Sequence, residues 1–326
     1  MKRIVILGLM LLKIVIAGII TAAFAAVEEP TYAERLGWDA GERVLIVHAD
    51  DAGMSLATNL ATIETLEDGV VNSVSVMMPT PWVSHWRDYM DENPDVDMGL
   101  HLTLTSEWAP YRWRPVAGTL PGLLDPDGYM WSGVGDVLVH ASPDEVEQEI
   151  RAQIELARRM DLSITHLDSH MGTLFEPEFI ERYVEVGIKE QIPVLMPGPT
   201  EAERRGFEWV DQARAMAERV WKSGLPVIDY IHTDSYGWKT TDKVDHYVEA
   251  IRNLEPGITQ MIVHPTKPDT VVDVITGGRE HLYGDYHALV DPRVKETLEE
   301  EDIILTTWRE LMERRREAGV EENTGR

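Results

Sequence analysis

Three side chains able to bind a metal or move a proton recur at every second position of Thr165-His166-Leu167-Asp168-Ser169-His170-Met171. In an extended segment that period directs His166, Asp168 and His170 to one side of the strand. Burying such a row is costly unless its members are paired or put to use. An earlier apolar run, Val44-Leu45-Ile46-Val47-His48-Ala49, ends in the acidic pair Asp50-Asp51 and then Ala52-Gly53. Asp51, His101 and His170 together make one carboxylate and two imidazoles, a set that binds a divalent metal and leaves positions open for water and substrate. A centre of that kind performs hydrolysis, because the metal acidifies water and stabilises charge developing on a carbonyl oxygen. Asp50 is then the candidate to take the proton from that water. His264, in Val263-His264-Pro265, is the candidate to protonate the departing amine.

Plainer readings compete with each assignment. An acidic pair suits a solvated turn or a helix N-terminus, and Asp51 could cap the helix that follows. His166 and Asp168 are expected behind the ligands, orienting His170 or meeting the substrate. A lone histidine near a strand end is more often structural, and His85, His140, His246, His281 and His287 are read that way.

Positioning such a set requires a scaffold, and the chain alternates short β-branched runs with helical segments. Candidate strands are Val44-Ala49, Ser73-Met78, Met98-Leu104, Ile164-Asp168, Pro193-Met196, Val227-Ile231, Thr259-Val263 and Ile303-Thr306. Ser142-Pro143-Asp144-Glu145 supplies an N-cap, a proline at the first helical position and a capping-box glutamate. Val146, Ile150, Ile154 and Ala157 continue it as an apolar stripe. Helices are also expected over Leu56 to Asp68, closed by Gly69, over Asp242 to Leu254, closed by Pro256-Gly257, and in the tail Arg309-Arg326. This is βαβ grammar, so the sheet is parallel, and seven or eight units favour a (β/α) barrel over an open sheet. Asp50, Asp51, Asp168, His170, Thr233, Asp234 and His264 fall at or just after strand ends, with His101 inside the third strand, which is where a barrel gathers its chemistry. Residues 105-142 form a long insertion with no convincing strand and few helical signals, rich in proline and carrying Trp108, Trp113 and Trp131. These indoles, with Trp82 and Trp238, either offer faces to a sugar ring or fasten the loop to the barrel.

Composition narrows the partners. Lys2 and Arg3 precede an apolar run from Ile4 to Ile20, and Ala23-Phe24-Ala25 has the small-x-small form of a signal-peptidase site. The reading is a signal peptide over 1-26, cleaved before Ala26, an exported mature chain in the periplasm or outside the cell, and one domain over 27-326. An uncleaved anchor is the alternative, disfavoured by Lys13 within the run. No second stretch is long enough to span a bilayer. Loss of Lys2, Arg3 and Lys13, with no acidic residue among them, takes the formal charge from −27 to −30. Nucleic acid and anionic membrane surfaces are repelled by such a chain, whereas a neutral or cationic amino sugar is not. Cysteine is absent, which excludes disulfides, thiolate metal sites and thiol nucleophiles.

The runs Val47-His48-Ala49-Asp50-Asp51-Ala52-Gly53, Gly99-Leu100-His101-Leu102-Thr103-Leu104-Thr105, Thr165-His166-Leu167-Asp168-Ser169-His170 and Met261-Ile262-Val263-His264-Pro265 resemble the successive motifs of the YdjC-like carbohydrate deacetylases, the ChbG/HpnK family. The likeness keeps the family's order and covers most of residues 43-310. It implies a distorted (β/α) barrel related to polysaccharide deacetylases and metal-dependent removal of acetyl groups from N-acetylated sugars. It implies Asp51, His101 and His170 as ligands of one divalent ion, Mg2+ or Zn2+, Asp50 as base and His264 as acid. Two imidazoles lean toward zinc on chemical grounds, and the family is commonly described with magnesium. Departures concern the neighbours: Met171-Gly172-Thr173 replace further histidines, Ala52 replaces Phe, and His48 stands where Asn is common. No arginine can be assigned to orient the base, a role common in related deacetylases. Two other readings use the same scaffold: a different metal hydrolase such as a phosphoesterase, for which Gly277-Gly278-Arg279 is a weak cue, and a glycan-binding protein without turnover.

Overall fold

The computed structural model describes residues 29–206 and 210–324; the expected signal peptide lies outside the described residues. Seven strands form one parallel sheet: β1 (Arg43–Ala52), β2 (Ser73–Val76), β3 (Met98–Leu102), β4 (Leu167–Ser169), β5 (Tyr230–His232), β6 (Gly257–Val263) and β7 (Ile304–Leu305). Their order is β4-β3-β2-β1-β6-β5. β1 is long because it serves two neighbours on one side: Val44 and Leu45 pair with β7, and the stretch from His48 onward pairs with β2. Its other side pairs with β6 over seven residues, Arg43 to Ala49. Nine of its ten residues are buried, as expected for a parallel strand covered on both faces.

The sheet curls until its ends approach each other. Two isolated parallel bridges, Leu167 to Val194 and Pro197 to Ile228, carry the curl across the gap between β4 and β5. The fold is therefore the expected α/β distorted barrel, but Pro193-Met196 is not a strand. Pro193 and Pro197 lack the N–H that a continuous ladder needs, so only single bridges form there. The same region displaces two boundaries: β4 begins at Leu167 and β5 at Tyr230.

The helix Pro143–Arg159 forms as its sequence dictates. Ser142 and Glu145 make a reciprocal capping box, and Val146, Ile150, Ile154 and Ala157 are fully buried. The other expected helices run over Leu56–Glu67, Lys243–Arg252 and Trp308–Thr324. The insertion is more structured than expected, with a 3-10 turn at Pro121–Leu123, a Leu124 to Met130 bridge and a helix Val134–His140. It builds a small core of its own from Trp113, Met130, Met54, Met77 and Ile275. At the opposite, N-terminal end of the barrel, Asp97 accepts the N–H groups of Trp308 and Arg309 and so caps the last helix. No helix among the described residues is long and apolar enough to cross a membrane.

Candidate active site

The register of β1 against β2 shifts between Ala49 and Ala52, and Asp51 adopts φ 63°. This bulge explains how two consecutive carboxylates serve one cavity. In a regular strand Asp50 and Asp51 would face opposite sides, but here both line the same space. Asp tolerates the left-handed conformation better than most residues, and strain of this kind collects at functional sites. The next helix is capped by Ser55, whose hydroxyl accepts the Thr58 N–H, so Asp51 is not spent as a cap.

Around the bulge, the carboxyl end of the barrel assembles the remaining groups. His101 comes from β3, His170 from the residue after β4, and His264 from the residue after β6. All five side chains, Asp50, Asp51, His101, His170 and His264, are buried and line one cavity of about 690 Å³. Asp51 Oδ1 lies 3.1 Å from His170 Nδ1 and 3.4 Å from His101 Nε2. That oxygen is buried and completes no hydrogen bond, and one ligand atom from each of the three residues lies within 4.8 Å of the others. A buried carboxylate oxygen that completes no hydrogen bond, facing two imidazole nitrogens that can give up their protons, fits a divalent cation by the chemistry of its ligands. Asp50 sits between this set and His264: its Oδ2 is 3.7 Å from His101 Nε2 and 3.7 Å from His264 Nε2.

The supporting residues differ from the expected ones. Asp168 turns away from His170; it accepts from His101 Nδ1 at 2.8 Å and from His48 Nε2 at 2.9 Å. His170 is backed instead by Glu107, whose carboxylate oxygens lie 3.0 and 3.2 Å from Nε2. His166 reaches neither His170 nor the cavity. It is buried beside Gly99, where any Cβ would collide with the imidazole, and it stacks on Trp308 at 5.3 Å. Burial, aided by the neighbouring His48, lowers its pKa to about 4, so it is a neutral core residue.

His48 is the cation beside Asp50. Its Nδ1 lies 2.9 Å from Ser73 Oγ, and the Ser73 hydroxyl proton is already committed to Asp97 at 2.7 Å. Both ring nitrogens of His48 must therefore donate, which makes it an imidazolium. Burial opposes that charge, but Asp168 and Asp50 outweigh it and raise the pKa to about 9. Its Nε2 stands 3.2 Å from Asp50 Oδ1 and supplies the positive partner for which no arginine was assignable. Burial also opposes charge on His170, and Glu107 and Asp51 raise its pKa to about 9. In the same way His101 is raised well above its ordinary value, and the two imidazoles hold Asp51 well below the usual carboxylate range.

A pH dependence follows. Folded-state values near 9 against 6.5 in the unfolded chain mean that the His48 and His170 protons stabilise the metal-free fold below about pH 6.5. That contribution is lost as pH rises through about 9. The melting temperature of chelator-treated protein is expected to fall across this window. Saturating divalent metal is expected to reduce the fall, because a cation replaces protons on the ligand nitrogens. Thermal melts at several pH values, with and without metal, check this; a metal-free melting temperature that rises over the window would contradict it.

Other candidates scatter. Trp108 lines the cavity and meets Trp113 edge-to-face, while Trp113 and Trp131 are spent inside the insertion, donating to the carbonyls of Thr105 and Gly122. Trp238 does not face the cavity: it stacks on His246, packs against Tyr247 and lines a separate, smaller cleft. Tyr236 and His281 do line the cavity and carry no sequence signal. The Tyr236 hydroxyl bonds His264 Nε2, and its ring stacks on His281. His281 and Asp285 also cluster with His264, but the buried Lys243 ammonium contacts both His281 Nδ1 and Asp285, so a cation already fills that cluster.

Comparison with known proteins places the chain in a family. The family model for YdjC-like protein matches residues 44–300. The chain is 30% identical over 280 residues to a carbohydrate deacetylase of Thermus thermophilus, covering 86% of this chain and 97% of that one. It is 25% identical to a carbohydrate deacetylase of Thermoanaerobacter pseudethanolicus, covering 82% and 98%. A crystal structure from Enterococcus faecalis V583, described as that of a cellobiose-phosphate cleavage protein, superposes with a TM-score of 0.69 at 22% identity over 82% of this chain and 98% of that one. That likeness speaks to fold alone. The matched span runs from the start of β1 through the strand ends that carry both aspartates and all three site histidines, and on these grounds the chain belongs to the YdjC-like family.

Proposed function

We propose that this protein is a metal-dependent hydrolase that removes N-acetyl groups from a sugar or oligosaccharide. The observation that carries the reading is the buried Asp51, His101 and His170 set with Asp50 between it and His264, in a chain whose relatives are named carbohydrate deacetylases. Asp51 Oδ1, His101 Nε2 and His170 Nδ1 would hold one divalent ion, Mg2+ or Zn2+. When bound, the ion polarises the acetamide carbonyl and acidifies water.

The chain's own residues do the rest. Water attacks the carbonyl carbon while Asp50 takes its proton, and His48, 3.2 Å from Asp50 Oδ1, keeps Asp50 oriented. The carbon–nitrogen bond then breaks as His264 delivers a proton to the departing nitrogen, leaving acetate and a free amine. The Tyr236 hydroxyl, already on His264 Nε2, keeps that ring turned toward the cavity. Trp108 offers an aromatic surface at the cavity wall for a sugar face.

The strongly acidic composition supports a neutral or cationic glycan over a polyanion. Export is part of the proposal and rests on residues 1–26; a mature N-terminus at Ala26, read by N-terminal sequencing, would support it, and protein retained in the cytoplasm with Met1 intact would count against it. The function is tested by stripping the protein with chelator, reloading Mg2+, Zn2+, Mn2+ or Co2+, and assaying acetate from N-acetylated mono- and oligosaccharides. Metal-restored acetate release is expected. Metal-loaded protein that releases acetate from no amide or ester would refute the reading.

A further inference from the structure

Glu107 stands five residues beyond the end of β3, at the start of the insertion, and no motif in the sequence points to it. Its backbone is held on both sides. Ser106 donates its N–H to the Trp131 carbonyl at 2.8 Å, and its hydroxyl accepts from the Trp113 N–H at 3.0 Å. Tyr111 donates to the Met54 carbonyl at 2.6 Å, and Met54 N–H bonds the carbonyl of Asp51 itself. The loop is thus fastened to the bulge of β1 and presents the Glu107 carboxylate at a defined place.

That place is His170 Nε2. Both carboxylate oxygens lie within hydrogen-bond distance of it, at 3.0 and 3.2 Å. A carboxylate only accepts, so Nε2 keeps its hydrogen, and Nδ1 is the nitrogen that must give up its proton for a cation to bind. Nδ1 is the atom that faces Asp51 Oδ1. The opposite imidazole repeats the arrangement with its nitrogens exchanged: Asp168 backs His101 Nδ1, and Nε2 faces Asp51. Each histidine of the set has a carboxylate behind it, one from the barrel and one from the insertion.

We propose that Glu107 is a positioning residue of the metal centre, holding His170 in the ring orientation and tautomer that present Nδ1 to a divalent cation. The proposal rests on the metal-centre reading above. It also gives the insertion a second task, since Trp108, the next residue, lines the substrate cavity. Loss of a carboxylate behind a metal-binding histidine typically costs about 10- to 100-fold in metal affinity.

The test is Zn2+ and Mn2+ titration calorimetry on metal-free wild type, Glu107→Met, Glu107→Gln and His170→Ala, with metal-free melting temperatures beside it. Met keeps the volume and removes both acceptors, so affinity is expected to fall about 10- to 100-fold. Gln keeps one acceptor for the Nε2 hydrogen and is expected to recover part of that loss. Should the Met variant fail to fold, Glu107→Ala replaces it. Affinity in the Met or Ala variant within about twofold of wild type, well short of that range, overturns the proposal. So does a Gln variant that loses as much affinity as His170→Ala, which would make Glu107 a ligand in its own right. Wild-type protein that binds neither ion overturns the metal-centre reading and this proposal together, whereas wild-type binding with an unchanged Met variant overturns this proposal alone.

Discussion

Asp50→Asn is expected to lower kcat for acetate release by about 10²- to 10⁴-fold, the range supplied by a positioned general base, while metal content stays at the wild-type level. The two effects separate because of where the carboxylate sits. Asp50 Oδ2 lies 3.7 Å from both His101 and His264, between the proposed ligand set and the proposed proton donor, and it is not one of the three atoms proposed to hold the metal. Asn preserves shape but cannot accept a proton from water. It also faces the imidazolium of His48, 3.2 Å from Oδ1, through its amide oxygen, so the fold keeps a partner for that charge. Steady-state kinetics with metal analysis on the same preparation decide the matter. Wild-type turnover in Asp50→Asn would remove Asp50 from the role of base, and loss of metal would make it a ligand.

His170→Ala is expected to lose metal and turnover together. The substitution leaves Asp51 with a single imidazole neighbour in the set, and the loss in affinity should exceed the roughly 10- to 100-fold typical of a supporting residue. It also strips Glu107 of its partner, leaving a half-buried carboxylate near Asp51. Elemental analysis after gel filtration, with acetate release at saturating metal, tests this. Full metal occupancy in His170→Ala would sink the proposed ligand set, whatever the activity. The contrast with Asp50→Asn is the point of the pair: one variant should keep its metal and stop, the other should lose both.

Much of the scaffold was legible because it is written in short-range patterns. Short β-branched runs marked β1, β2, β3 and β6 to within a few residues, and Ser142 with Glu145 announced the helix Pro143–Arg159 by local hydrogen bonding alone. Boundaries slipped where prolines removed ladder donors around 193–197. Residue types and strand-end positions also sufficed to bring Asp50, Asp51, His101, His170 and His264 to one end of the barrel.

What the sequence by itself determined, then, was the α/β architecture, the alternation of strands and helices, and which chemical groups stand at strand ends. Only the tertiary structure decided which of them touch. His166, Asp168 and His170 share one short row, yet they part company: His166 stacks on Trp308, Asp168 bonds His101 and His48, and His170 turns to Glu107. Trp238 goes to His246 and Tyr247 and leaves the cavity to Trp108. Asp50 joins Asp51 in one cavity through a bulge set by register against β2. Apart from that of Trp238, whose partners His246 and Tyr247 follow it closely, these outcomes depend on partners tens of residues or more away in the chain. Periodicity reports which face of an element a side chain occupies, but a hydrogen bond to a particular donor is set by how distant elements pack, and no local pattern encodes that.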